Sequence, residues 1–126
     1  MCEVKNKLLK RIIDHGKYQY PSKRQRKIAW DLTREQVETL FQSDLCSKTG
    51  ISYKYQPNNP LSPSLDRIDP NIDRYSIDNV QAVVKIYNLA KHDGTDDDVL
   101  SFAFEFYENK SLAYYLFCST NPECLI

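Results

Sequence analysis

The sequence predicts an α+β fold with short strands, and three observations carry that expectation. Stretches 64–68 and 80–85 read as two short strands, the first with polar residues among its apolar ones, joined by a loop rich in turn residues. Stretch 86–92 follows the second run directly, reads as a helix, and closes at Asp93-Gly94. Apolar residues at helical spacing recur towards both ends of the chain.

The elements follow in order. In 3–15, Val4, Leu8, Leu9, Ile12 and Ile13 keep helical spacing among Lys5, Lys7, Lys10 and Arg11, and Gly16 is the expected stop. In 17–27, Tyr18 and Tyr20 interleave with Lys17, Lys23, Arg24, Arg26 and Lys27. That mixture suits a nucleic-acid arm, where cations neutralise phosphates and rings lie on sugars or bases, and it equally suits an exposed loop. Thr33 and Gln36 form a capping box ahead of an apolar stripe of Val37, Leu40 and Phe41. A turn over 44–50 leads to an expected strand at 51–55. Three prolines then make 56–64 an extended loop. Thr95 caps a further helix, and Asp96, Asp97 and Asp98 favour its positive N-terminus. Three adjacent acids in one turn point three ways, so they do not read as a metal cluster. Val99, Phe102, Ala103 and Phe106 give that helix an apolar face, and 112–117 forms a last core-packed segment.

Length and composition narrow the function. At 126 residues the expectation is a single domain over 1–126, with a basic helical region at 1–44, a core at 45–94 and an acidic helical segment at 95–126. The formal net charge of zero conceals a gradient: 1–54 hold 12 Lys/Arg against 6 Asp/Glu, while 93–126 hold seven acids against Lys110 alone. Such asymmetry suits a polyanion partner for the basic end, and it also suits solvated helix faces. No apolar run approaches the ~20 residues that span a bilayer, and the N-terminus has no secretory pattern, so an intracellular protein without membrane partners is expected. Cys2, Cys46, Cys118 and Cys124 form no C-x-x-C pair and are expected as free thiols.

Asp66, Asn79 and Asn88 stand at intervals of 13 and 9 among these strands and helix. A carboxylate on the first strand and a carboxamide on the helix would bring two oxygen donors together at one end. Mg²⁺ needs only one or two protein oxygens and keeps its other positions for water and phosphate. Asn79, between loop and second strand, has the bonding capacity to tie backbone groups on both sides.

Taken together, Asp66-Arg67-Ile68-Asp69-Pro70, Asp78-Asn79-Val80 and Asn88-Leu89-Ala90-Lys91 resemble the ββα-metal motif of HNH nucleases, notably small phage endonucleases and their relatives in group I introns. The lead-in of 31–41 and the Cys46-Ser47-Lys48-Thr49-Gly50 turn share that likeness, which spans roughly residues 28–98. The resemblance implies a metal-dependent endonuclease or nickase acting on double-stranded DNA through one Mg²⁺ or Mn²⁺. It implies Asp66 and Asn88 as metal ligands, Asn79 as the structural asparagine, and Lys91 near a DNA phosphate. Lys23, Arg24, Arg26 and Lys27 are the expected further DNA contacts. A phage-infected or mobile-element-bearing cell is the implied setting, with a second copy or a packaging component as further partners.

Two departures stand out. Where the family usually carries a histidine base after the first aspartate, this chain has Arg67, whose guanidinium stays protonated and suits a phosphate clamp. His92, one turn after Asn88, is the substitute base to consider, and Asp69 a weaker one; His15 receives no role. Paired C-x-x-C zinc braces are also missing, so no structural zinc is expected and packing by Leu65, Ile68, Ile77, Val80, Val83 and Ile86 must replace them. The rival readings are a DNA-binding module of this fold without turnover, and a phage assembly accessory protein.

Overall fold

The computed structural model describes residues 2–18, 28–110 and 118. The fold is α+β, and the chain divides into two compact units, Met1–Thr95 and Asp96–Ile126. The first holds α1 (Glu3–Lys17), β1 (Ala29–Trp30), α2 (Arg34–Leu40), β2 (Pro63–Arg67), β3 (Arg74–Tyr75), β4 (Val80–Val84) and α3 (Lys85–Lys91). The second holds α4 (Asp96–Glu108). Among the described residues no helix is long and apolar enough to cross a membrane.

Helix α1 buries Leu8, Leu9, Ile13 and Gly16, one stripe at helical spacing. Gly16, the expected stop, stands one residue before the end of α1 at Lys17. Its lack of a side chain also serves packing: a Cβ there would overlap the indole ring of Trp30. Lys5 is also buried, and its ammonium donates to Asp44 Oδ1 at 3.0 Å while lying 5.3 Å from the Tyr55 ring centroid. The Tyr55 hydroxyl donates to the same carboxylate oxygen. Burial works against the Lys5 charge, but Asp44 and Tyr55 outweigh it and leave its pKa raised. The Tyr55 and Lys5 hydrogen bonds lower that of Asp44.

Both halves of the expected capping box are made: Gln36 N donates to Thr33 Oγ1 at 3.1 Å and Thr33 N to Gln36 Oε1 at 2.9 Å. This fixes the start of α2, whose Val37, with Phe41 at its C-cap, is wholly buried. The strand expected at 51–55 does not form, and only the bridge Leu45–Ser52 appears there. The backbone explains why: Tyr53 N donates to Asp44 O, Lys54 N to Leu61 O, and Ile51 O accepts from Cys46 N. Asp44 and Cys46 flank the Leu45–Ser52 bridge as a short antiparallel pairing, but Lys54 turns to Leu61, so the pairing goes no further.

Strands β2 and β4 pair antiparallel in the register Pro63–Val84 through Arg67–Val80. All five residues of β4 are buried, so both of its faces are covered. The brace expected around this pair is partly corrected. Leu65, Val80 and Val83 are buried, whereas Ile68, Ile77 and Ile86 are 41%, 50% and 51% exposed. Ile68 and Ile77 lie in the connection between the strands, outside the ladder, and the core is completed by Ala82, Val84, Phe41, Tyr53, Cys46 and Tyr87 instead. The short strands β1 and β3 pair parallel, Ala29 with Arg74 and Trp30 with Tyr75, which ties the β2–β4 connection to the segment after α1.

In the second unit, Asp96, Asp97 and Asp98 occupy the first turn of α4, and Phe102 and Phe106 bring ring centroids to 6.3 Å. The segment expected at 112–117 lies outside the described residues, as does Cys124. Cys2, Cys46 and Cys118 are free thiols.

Candidate functional site

Side chains alternate along a strand and recur every three or four residues on a helix. Ser64 and Asp66 therefore share one face of β2, with Gln81 opposite Asp66 on β4, and α3 packs over them. Asn88 and Lys91 share one face of α3. Asn88 Nδ2 donates to Ser64 Oγ at 2.8 Å and Leu65 O at 3.2 Å. One turn on, Lys91 Nζ donates to Asp66 Oδ2 at 2.6 Å, Arg67 O at 2.7 Å and Ile68 O at 2.9 Å.

The two ends of this interface differ in solvent access. Asp66 and Lys91 are each 3% exposed, and Gln81 Nε2 adds a second donor to Asp66 Oδ2 at 2.8 Å. The carboxylate is therefore held by a buried ammonium and a buried carboxamide on one oxygen. Lys91, expected at a DNA phosphate, lies inside the fold with its charge on Asp66 and its other donors on two carbonyls. Asn88 is half-buried and borders open space.

The connection 68–79 is closed from within. Asn79, 5% exposed, accepts from Asp69 N at 2.9 Å through Oδ1 and donates through Nδ2 to Arg74 O at 3.1 Å and Asp69 O at 3.3 Å. Its backbone adds Asn79 N to Ser76 O and Ile68 N to Asn79 O, both at 2.9 Å. Asp69 forms an Asx turn, its Oδ1 accepting from Asn71 N at 2.9 Å. Arg67 joins this closure: its Nη1 donates to Pro70 O at 3.0 Å and Ile72 O at 2.9 Å, lies 3.6 Å from Asp73 Oδ1, and its guanidinium carbon is 5.8 Å from the Tyr75 ring centroid. The expected phosphate clamp is thus engaged with loop carbonyls. His92 follows α3 with φ of 48°, and its imidazole is well exposed, 3.5 Å from Asp93 Oδ2. Lys23, Arg24, Arg26 and Lys27 lie outside the described residues.

A cleft of about 360 Å³ opens at the Asn88 end. Arg11 and His15 of α1 line it, with Trp30, Ser64, Tyr75, Lys85 and Asn88. Sequence reasoning passed over Arg11, His15, Trp30 and Lys85 in this setting. Arg11 and His15 are four residues apart on one helix face, which was legible. That this face meets β2 and α3 depends on Gly16 and Trp30 packing together, which no local pattern announces.

Among the described residues no three of His, Cys, Asp and Glu gather into a metal-binding group. A hard cation with one or two protein oxygens is a different arrangement, and by donor type Asp66 and Asn88 suit it. Their present engagement sets a condition: a cation at Asp66 would share that carboxylate with the Lys91 ammonium. Compared with family models, with curated proteins and with solved structures, the chain matches none.

Proposed function

We propose that this protein is a metal-dependent DNA endonuclease or nickase of HNH type. The observation that supports the reading best is the strand–loop–strand–helix arrangement itself, with Asp66 on β2, Asn79 closing the loop and Asn88 on the α3 face that meets β2. Asp66 and Asn88 would hold one Mg²⁺ or Mn²⁺, and the ion would supply a Lewis acid at the scissile phosphate. Asn79 and Arg67 keep the connection between β2 and β4 closed, and for Asp66 to join Asn88 on one ion it would have to share its carboxylate with the Lys91 ammonium. The Arg67 guanidinium takes no proton from water, and the attacking water needs another base.

A second reading is a DNA-binding module of the same fold without hydrolysis. The buried Lys91–Asp66 pair favours it, because that pair already matches the only charge Asp66 offers. Supercoiled plasmid separates the two. The first reading expects nicked or linear DNA with Mg²⁺ or Mn²⁺, none with EDTA, and a large loss in Asn88→Ala. Plasmid that stays supercoiled while the protein shifts it on a gel would leave the second reading standing.

A further inference from the structure

We propose that the cleft between α1, β2 and α3 is the seat of a nucleic-acid strand, with its backbone phosphodiester held by Arg11, His15 and Lys85. This rests on the nucleic-acid reading above and assigns that reading a surface. Charge is the first argument. The cleft's lining holds an arginine, a lysine and a histidine, and no carboxylate borders it among the described residues. Arg11 and His15 are exposed and Lys85 is half-buried, so their polar ends reach water and a ligand. A strand without base selectivity needs this pattern of cations along a groove.

The second argument is the wall. Trp30 and Tyr75 hold ring centroids 5.5 Å apart, and Trp30 Nε1 donates to Leu32 O at 2.9 Å. Gly16 lets the indole lie against α1, and the β1–β3 pairing sets the spacing of the two rings. The two rings are tilted 45° to each other, so the wall is an angled apolar corner, beside the cationic rim, against which one sugar or base can lie. About 360 Å³ is room for a nucleotide unit and too little for a duplex, so one strand enters and the rest of the nucleic acid stays outside. Ser64 and Asn88 border the same space, so a phosphodiester seated there lies beside the Asn88 end of the candidate site.

Trp30 is the only tryptophan in the chain, which makes the cleft directly observable. Full-length protein titrated with a short single-stranded oligodeoxynucleotide should change Trp30 emission saturably. Inorganic phosphate should need far higher concentration. In Arg11→Ala/Lys85→Ala the slope of log affinity against log salt should flatten by roughly 1.4 units, about 0.7 for each single-strand phosphate that is no longer neutralised. His15→Ala should weaken binding further, with the urea midpoint of each variant unchanged. Binding by anisotropy without a Trp30 response, or an unchanged salt slope in the double variant, would overturn the proposal and leave the plasmid test of hydrolysis untouched. Inorganic phosphate equal to the oligonucleotide would overturn the strand assignment. Oligonucleotide binding with no plasmid cleavage would instead sink only the nuclease reading.

Discussion

The two ends of the β2–α3 interface are built from similar residues and do opposite things. At one end Lys91, Asp66 and Gln81 are buried and bonded to each other. At the other, Asn88 and Lys85 border an open cleft with Arg11 and His15. One helical turn separates Lys91 from Asn88, yet the first is buried while the second, bonded to Ser64 and Leu65, is half-buried and borders the cleft. Polar residues that together look like a catalytic signature therefore divide between a buried, mutually bonded set and a set that borders open space.

The largest effect should come from breaking the closed end. Asp66→Ala leaves the Lys91 ammonium buried without its counter-charge, a loss of about 3–5 kcal/mol in urea unfolding. Any cleavage lost in that variant would therefore report unfolding as much as chemistry. Pairing Asp66→Leu with Lys91→Met should recover much of the loss, since replacing both partners by apolar groups removes the unpaired charge. Equal stability of Asp66→Ala and parent would refute the closed end.

Asn79→Ala tests the neighbouring closure of 68–79. Removing its carboxamide takes away the partner of Asp69 N and Arg74 O, at about 1–3 kcal/mol, read as a lower thermal midpoint. Gly16→Ala sharpens the comparison from the open side. Its methyl group would press on Trp30 at a cost of about 1–3 kcal/mol, and Trp30 emission should shift as the indole is displaced. An unshifted emission would mean that Gly16 does not set the cleft wall.

Acid should weaken the α1 anchor at Asp44. Asp44 has a lowered pKa, so its contribution is present above the ordinary carboxylate value and disappears as pH falls through the lowered one. Lys5 has a raised pKa, so its part is complete below the ordinary lysine value and disappears only as pH rises through the raised one. The α1 anchor should therefore hold across neutral pH and weaken in acid. Asp44→Asn should show a smaller acid-induced drop in urea midpoint than the parent.

Much of the fold was legible from local pattern. The Thr33–Gln36 box, the β2 and β4 runs and the α3 stop at 92–94 depend on residues close in sequence, and the structure places them within a residue or so. What was not legible came from distant packing. That Gly16, near the end of α1, also makes room for Trp30, 14 positions on, is not visible in the local sequence. Stretch 51–55 has strand composition, but it pairs with 44–46 only around the Leu45–Ser52 bridge before Lys54 turns to Leu61. For the site, sequence located Asp66, Asn79 and Asn88 on the elements where they stand. It carried no sign that Lys91 reaches back 25 positions to Asp66, or that Arg67 turns into its own loop.

The division between a closed and an open end is tested most directly by a crossed comparison of two lysines on α3. Lys91→Met and Lys85→Met remove the same charge six residues apart, and both variants are measured for urea midpoint and oligonucleotide affinity. Lys91→Met should lose about 3–5 kcal/mol of stability, whereas Lys85→Met should keep the parent midpoint and bind the oligonucleotide more weakly. A destabilised Lys85→Met with full affinity, beside a Lys91→Met as stable as the parent, would contradict the account.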